Sequence, residues 1–199
     1  PFLNQSAQVT LRNLPFLSPQ MKVDIDDNGV YVDCTAPRCT SPTYDSGTLI
    51  FNVSSFTSYA AAEGVVCPMN VSASTTLTED ITCPETAVNI IANNLVLDCN
   101  GYSINYSSSG VGNGINATAR TNITIQNCNV LTENGSVVDS DAITFSGTNN
   151  SFLLNTNATS NASIAINLTG SNNNTLTGIN ATSGTVYGIF LSASSNNTL

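Results

Sequence analysis

Few residues of this chain could carry out acid–base chemistry. The sequence contains 13 Asp and Glu, four Lys and Arg and no His, and the segment from Ala142 to Leu199 contains none of these types. General acid–base catalysis needs a titrating side chain. The candidates nearest this segment are Asp98, Arg120, Glu133, Asp139 and Asp141. We expect structural or solvent-exposed roles for them, and we predict that the chain is not an enzyme.

A second candidate for chemistry is the segment from Asp24 to Gly29, Asp-Ile-Asp-Asp-Asn-Gly, which matches the start of a calcium-binding loop. The twelfth position of such a loop supplies a bidentate Glu, and here it is Thr35. Asp-Asn-Gly between alternating apolar residues is also a strong hairpin signal. We favour the hairpin, keep calcium as the alternative, and predict no metal site and no cofactor.

Tyr102 and Tyr106 are the third candidate, because two nearby tyrosines can form a platform on which a sugar stacks. The alternative is that they pack in the cap of the domain. We favour packing.

The composition excludes several classes of partner. The net charge is −9 and only 9% of residues are charged, so the clustered cations that bind nucleic acids or anionic lipids are missing. No apolar run approaches the ~20 residues of a membrane-spanning helix. Copper chemistry lacks support too, since there is no His and Met occurs only twice.

The six cysteines indicate an oxidising compartment. Their spacings contain no paired Cys-X-X-Cys knuckles, so a zinc site is not expected. An even number in a chain rich in Asn, Ser and Thr favours disulfides and an extracellular or cell-surface location. Spacing alone leaves the connectivity open. The cysteines are Cys34, Cys39, Cys67, Cys83, Cys99 and Cys128.

Acceptor sites for N-glycosylation (Asn-X-Ser/Thr, sequons) are more frequent than the composition predicts by chance. We expect several to carry glycans, which would supply the solubility that the missing charges do not. The alternative is that Asn-rich turns and Thr-rich strands generate the pattern for structural reasons. The sites are Asn4, Asn52, Asn70, Asn105, Asn116, Asn122, Asn134, Asn149, Asn157, Asn161, Asn167, Asn173, Asn180 and Asn196.

A repeat of 23–28 residues begins after residue 90. One copy after another contains Asn followed by a short apolar strand, with the asparagines at 94, 122, 149, 173 and 196. A second strand with Ile115, Ile143, Ile166 and Ile189 recurs before them. Short alternating strands without helical periodicity fit one coil of a parallel β-helix, with the isoleucines inside and the asparagines at a turn. There, Asn tolerates a left-handed backbone and can bond to the neighbouring coil.

The stretch from Ile90 to Val130 contains Asn-Leu-Val-Leu-Asp-Cys-Asn-Gly and then Asn-Ile-Thr-Ile-Gln-Asn-Cys. It resembles the right-handed parallel β-helix repeat proteins, which include pectate-lyase-like and NosD-like chains, many of them predicted archaeal surface proteins. The resemblance covers residues 67–199 and implies the fold. Lyases of this type use acidic Ca²⁺ ligands with a catalytic Arg, and related hydrolases use paired Asp. This chain departs from both patterns, so the resemblance does not imply their activity.

The resemblance also carries expectations for individual residues. Its alignment places Cys99 and Cys128 on successive coils, so we expect them to pair, with Cys67–Cys83 closing the cap region and Cys34–Cys39 as the remaining pair. Asp98 and Arg120 fall on neighbouring coils, where they could form an ion pair.

The first 64 residues differ from the repeat region. They contain the Asp27–Gly29 hairpin and a strand over Thr48–Tyr59, which resembles the closing strand of β-sandwich modules in archaeal surface proteins. Residues 60–64 resemble a linker. We therefore predict an all-β chain with a small or incomplete β-sandwich over residues 1–64, which a partner chain could complete, and a parallel β-helix over residues 65–199.

The functional hypothesis follows from the apolar core that a β-helix cut at Leu199 would expose. We expect either that the chain continues or that another subunit stacks on this end, and we favour self-association. The leading hypothesis is a non-catalytic structural glycoprotein subunit of an extracellular assembly: a filament, a surface layer or an adhesin stalk. The alternative is a polysaccharide-binding or polysaccharide-cleaving β-helix.

Overall fold

The computed structural model describes residues 6–16, 19–132 and 138–199. These residues form strands, turns and loops, and there is no helix among them. The chain divides into two compact units, Pro1–Val66 and Cys67–Leu199. Sheets are antiparallel in the first unit and parallel in the second, which confirms the predicted all-β class.

The first unit contains two three-stranded sheets around a small core. Its strands are β1 (Ala7–Leu11), β2 (Pro19–Asp24), β3 (Val32–Asp33), β4 (Cys39–Asp45), β5 (Thr48–Val53) and β6 (Ser58–Glu63). The sheet orders are β1-β5-β4 and β3-β2-β6. Alternation along β5 buries Leu49, Phe51 and Val53, which join Val23 of the other sheet in one core.

Two features of this unit differ from the sequence-based expectation. The predicted strand over Thr48–Tyr59 is interrupted at residues 54–57, so β5 and β6 lie in different sheets. Residues 60–63, expected in a linker, belong to β6 and pair with β2. Alanine has low intrinsic β-propensity, and the pairing with β2 overrides it.

The second unit is a parallel β-helix in which each complete coil contributes one strand to each of three sheets. Sheet 1 contains β7 (Met69–Val71), β10 (Val88–Ile90), β13 (Ile115–Thr118), β16 (Ile143–Ser146), β19 (Ile166–Thr169) and β22 (Ile189–Ser192). Sheet 2 contains β8 (Thr75–Thr76), β11 (Val96–Asp98), β14 (Thr124–Gln126), β17 (Phe152–Leu154) and β20 (Thr175–Thr177). Sheet 3 contains β9 (Ile81–Thr82), β12 (Ser103–Tyr106), β15 (Asn129–Thr132), β18 (Asn157–Ser160) and β21 (Asn180–Ser183).

Columns of equivalent residues fill the interior. The predicted isoleucine column is confirmed, because Ile115, Ile143, Ile166 and Ile189 are direct partners on successive strands. The first three are at most 1% exposed. Burying a side chain of this size contributes roughly 1.5–3 kcal/mol, so each coil is held mainly by the coils on either side of it.

The asparagine column lies at a turn, as predicted, and the structure places this turn between sheets 1 and 2. Its members have positive φ, in the left-handed region that Asn tolerates better than most residues: Asn94 (57°), Asn122 (54°), Asn150 (51°), Asn173 (55°) and Asn196 (56°). In the third copy the strand register selects Asn150, since Phe152 pairs with Thr124. The predicted assignment of Asn149 to this column is therefore wrong by one residue. The sequence offers Asn at both positions, and only the pairing distinguishes them.

Three disulfides join the cysteines in the sequential pairs that we expected. They are Cys34–Cys39, Cys67–Cys83 and Cys99–Cys128, with Cα–Cα distances of 5.6, 5.7 and 4.8 Å. These distances lie within the normal range for disulfides. Structural disulfides persist in oxidising compartments, so the pairing supports such an environment.

Candidate functional sites on the surface

The acidic candidates do not converge on one site. Asp98 lies at the end of β11 in sheet 2, whereas Asp141 lies two residues before β16 of sheet 1. Asp139 is exposed, and Glu133 lies outside the described residues. The part of the chain that the structure describes contains no group of three or more His, Cys, Asp or Glu side chains that could hold a metal ion.

Asp98 has structural partners on its own coil and the next. Its carboxylate accepts hydrogen bonds from Asn127 Nδ2 (2.9 Å), Gln126 Nε2 (2.7 Å) and the backbone N–H of Asn100 (2.8 Å). These donors stabilise the charged form, so they hold the pKa of Asp98 below its ordinary value.

The ion pair that we expected between Asp98 and Arg120 is not formed. Arg120 follows β13 at the turn between sheets 1 and 2, and its guanidinium donates to the carbonyl oxygens of Thr118 (2.7 Å) and Ile91 (3.0 Å). Asp98 lies at the far end of its sheet 2 strand. Placement on neighbouring coils alone does not bring two side chains together, because each coil also turns through three sheets.

Asp141 is 9% exposed, and its carboxylate is satisfied by neighbouring groups. It accepts hydrogen bonds from the Ser163 hydroxyl (2.7 Å), the Ile164 N–H (3.1 Å) and Asn167 Nδ2 (2.9 Å). Ser163, Ile164 and Asn167 belong to the following coil. The buried carboxylate therefore fastens one coil to the next.

The segment from Asp24 to Gly29 contains the last residue of β2 and the start of a hairpin loop, as the favoured interpretation predicted. Strands β2 and β3 pair antiparallel on either side of it. The Asp24 carboxylate accepts the N–H groups of Asn28 (3.0 Å) and Gly29 (2.6 Å). Asp27 accepts a hydrogen bond from the Ser58 hydroxyl (2.8 Å). Both carboxylates thus stabilise the turn and its contact with β6.

The platform considered for Tyr102 and Tyr106 does not exist, because Tyr106 is fully buried. Alternation along β12 directs Ile104 and Tyr106 into the core. The Tyr106 hydroxyl donates to the carbonyl oxygens of Ser140 and Thr159, both at 3.2 Å. Burial raises the pKa of Tyr106 to about 12.

The sequon asparagines are the most widely distributed candidates, and none of those described is buried. Asn4 and Asn134 lie outside the described residues. Four asparagines are partly buried and donate side-chain hydrogen bonds: Asn105, Asn116, Asn149 and Asn167. The other eight are exposed: Asn52, Asn70, Asn122, Asn157, Asn161, Asn173, Asn180 and Asn196. A glycan is attached to the side-chain nitrogen, which is less accessible in the four partly buried residues than in the eight exposed ones.

A pair of aromatic residues at the surface was not predicted from the sequence. The rings of Tyr187 and Phe190 stack with centroids 5.4 Å apart and an interplanar angle of 21°. Tyr187 is 55% exposed, and Phe190 follows Asn167 in an outward column of sheet 1. The available signal was two aromatic residues on either side of Gly188-Ile189, where earlier coils have none.

Comparisons with known proteins identified no relative of this chain. No protein-family model matches the chain, and no match was found among curated proteins or solved structures. Within the described residues there is also no helix long and apolar enough to cross a membrane.

Proposed function

We propose that this chain is a non-catalytic structural glycoprotein subunit of an extracellular cell-surface assembly, such as a filament, surface layer or adhesin stalk. We also propose that the chain is related to the pectate-lyase-like and NosD-like proteins of archaeal surfaces. Copies of the chain would associate with one another in the assembly. The observation that carries it is the distribution of sequons, since every described sequon asparagine has a side chain that solvent can reach.

The construction of the β-helix supports a role in durability. Parallel strands, buried columns and the Cys67–Cys83 and Cys99–Cys128 disulfides fasten successive segments of the solenoid. A chain with only 9% charged residues needs another source of solubility, and covalent glycans would provide it.

The roles of the acidic residues also support a structural function. Asp24, Asp98 and Asp141 all accept hydrogen bonds that hold turns or neighbouring coils. Asp98 lies in sheet 2 and Asp141 precedes a strand of sheet 1, so these two do not form the pair of acids that a hydrolase of this type requires.

Mass spectrometry of glycopeptides from the natively isolated protein, combined with electron microscopy without denaturant, tests this function. We expect glycans mainly on the eight exposed sequon asparagines, with lower occupancy at the four that are partly buried. We also expect ordered filaments or sheets. Unmodified peptides together with dispersed single particles would contradict the proposal.

The stacked pair Tyr187–Phe190 favours a second candidate, polysaccharide binding. Apolar faces of sugar rings pack on exposed aromatic rings, and the Asn167 column beside the pair provides amides. Binding to a panel of polysaccharides should then be lost in Tyr187→Ala and retained in Phe152→Ala, which removes an exposed aromatic ring from another sheet. Cleavage assays on the same panel would show whether binding is accompanied by hydrolysis or elimination.

A further inference from the structure

The stacked pair of Tyr187 and Phe190 lies next to a glycosylation sequon of the same chain. Phe190 on β22 is the direct partner of Asn167 on β19, and Asn167 begins the sequon Asn-Leu-Thr. Partners on neighbouring strands are separated by ~4.8 Å. A sugar ring is about as wide as this separation, so the first sugar on Asn167 would lie beside the ring of Phe190.

The side chains of Asn167 and Phe190 both point away from the core. Each lies between two residues of the inward columns, and successive side chains of a strand alternate between its faces. The inward residues are Ile166 and Leu168 in β19, both at most 1% exposed, and their partners Ile189 and Leu191 in β22. A glycan on Asn167 would therefore extend on the same side of sheet 1 as the ring of Phe190.

The amide of Asn167 is oriented by two hydrogen bonds. Its Nδ2 donates to the Asp141 carboxylate (2.9 Å), and its Oδ1 accepts a hydrogen bond from the Thr169 hydroxyl (3.0 Å). A glycan replaces one of the two hydrogens on Nδ2. One N–H therefore remains available to Asp141 when Asn167 carries a glycan.

The aromatic pair presents ring surface beside this sequon. Tyr187 is 55% exposed, and its ring stacks on that of Phe190 with centroids 5.4 Å apart. The backbone of Tyr187 is bonded to the coil of Asn167, because its carbonyl oxygen accepts the N–H of Ala165 (3.1 Å). Aromatic side chains that are already ordered lose little conformational entropy on binding.

We propose that Tyr187 and Phe190 bind the first sugars of a glycan attached to Asn167 of the same chain. Sugar rings have apolar faces of C–H groups, which the electron-rich faces of aromatic rings attract. The described strands of sheet 1 contain no charged residue, so the contact suits neutral sugars. Covalent attachment gives these sugars a high effective concentration at the rings. This inference rests on the proposed function, since it needs Asn167 to be glycosylated.

Asn116 provides a matched comparison in the same outward column of sheet 1. In its sequon the Thr118 hydroxyl donates to the asparagine Oδ1 (3.1 Å), as the Thr hydroxyl does at Asn167. The partners of Asn116 on the neighbouring strands are Asn89 and Thr144, so neither is aromatic. Thr118→Val and Thr169→Val therefore remove equivalent sequons, one without and one with an adjacent aromatic ring.

Hydroxyl-radical footprinting of protein from the cells that make it tests the contact. Glycopeptide mass spectrometry of the same samples gives the occupancy of Asn167, to which the result is scaled because this residue is partly buried. Oxidation of Phe190 and Tyr187 should rise about twofold or more in Thr169→Val, because covering one face of a ring removes about half of its accessible surface.

Three controls accompany the footprint. Thr118→Val should leave the oxidation of the pair unchanged. Phe152, an exposed ring in sheet 2, reports differences in radical dose between samples. In protein made without glycosylation, Thr169→Val and the unmodified chain should be oxidised equally at the pair.

Urea unfolding followed by circular dichroism tests whether the contact is attractive. Loss of the Asn167 glycan in Thr169→Val should raise the unfolding constant between about twofold and tenfold, the range of a single aromatic contact. Phe190→Ala should abolish this difference. The same variants made without glycosylation measure the contribution of the Thr169 hydroxyl, which is subtracted in the cycle.

Four results would overturn the proposal and leave the proposed function intact. Sugars are found on other sequons but not on Asn167; the pair is oxidised equally with and without the Asn167 glycan; that glycan has the same effect on unfolding in Phe190→Ala; or the fully glycosylated protein binds an added polysaccharide through Tyr187, which would show that the rings are free. If no sequon carries a sugar, the proposed function fails, and this inference fails with it.

Discussion

Asn122 donates a hydrogen bond from its side-chain nitrogen to the side-chain oxygen of Asn94 on the preceding coil, at 2.9 Å. Both residues have positive φ. One residue type therefore serves two purposes at this turn: it accepts a left-handed backbone, and it links equivalent positions of adjacent coils. The turn can recur from coil to coil because each asparagine has both a donor and an acceptor.

Substitution of Asn122 separates these two contributions. Asn122→Gly keeps a residue that tolerates positive φ and loses the bond to Asn94, so we expect a loss of about 1 kcal/mol in the free energy of unfolding. Asn122→Ala also loses the polar side chain that makes Asn tolerate a left-handed backbone, and its total loss should be about 2 kcal/mol. Urea unfolding of protein made without glycosylation measures both. Equal stability of the two variants would show that backbone conformation contributes nothing here.

Of the two disulfides in the β-helix, Cys99–Cys128 should contribute more to the free energy of unfolding. It closes a longer stretch of chain than Cys67–Cys83, with sequence separations of 29 and 16 residues. Loop-closure entropy predicts a loss of about 3.5 kcal/mol for Cys99→Ala/Cys128→Ala and about 3 kcal/mol for Cys67→Ala/Cys83→Ala. Thermal and urea unfolding of both double variants test the order. A larger loss for Cys67→Ala/Cys83→Ala would indicate that packing at the first coil outweighs the entropy.

The β-helix could be predicted from the sequence because the same pattern of residues recurs in each coil. The isoleucine column, the asparagine turn and the pairing of Cys99 with Cys128 all follow from aligning one coil with the next. Features that depend on the exact position of a turn were harder to predict from the sequence. Asn149 and Asn150 are both asparagine, and hydrogen-bond register alone selects Asn150. Likewise, the alignment placed Asp98 and Arg120 on neighbouring coils, but Arg120 lies at the turn before sheet 2 and Asp98 at the far end of a sheet-2 strand.

Tyr106 and the aromatic pair show a second limit. Whether a tyrosine on a short strand faces inward depends on the parity of that strand, and β12 could not be placed to within one residue from sequence. The Tyr187–Phe190 stack breaks the repeat, so a search for what recurs passes over it. Functional features of a solenoid that occur in one coil are thus the hardest to predict from periodicity.

Asp98 should make stability depend on pH in the acid range. Hydrogen bonds from Asn127, Gln126 and Asn100 lower its pKa in the folded chain from the ordinary value of 3.8. Its contribution is therefore present above that value and is lost as pH falls through the folded-state pKa. We expect Asp98→Asn to cost about 1 kcal/mol at neutral pH, because a charged acceptor is replaced by a neutral one. Urea unfolding at neutral and strongly acidic pH should show this cost shrinking in acid. Asp139→Asn, at an exposed aspartate, is the control; a cost for Asp98→Asn that stays constant with pH would contradict the assigned cause.

Tyr106 should make stability depend on pH in the alkaline range. Burial raises its pKa from 10.0 to about 12 in the folded chain, so the neutral phenol favours folding below the unfolded-state pKa. That contribution is lost as pH rises through the folded-state value.

Tyr106→Phe leaves the carbonyl oxygens of Ser140 and Thr159 without the hydroxyl donor, and we expect a loss of about 1–2 kcal/mol in the free energy of unfolding at neutral pH. Tyr106→Ala leaves a cavity and should cost about 3–5 kcal/mol. Ultraviolet titration should detect one tyrosine that ionises near the alkaline unfolding transition in the unmodified chain and is missing in Tyr106→Phe. Ionisation of every tyrosine near pH 10 with the fold intact would show that Tyr106 is accessible to solvent.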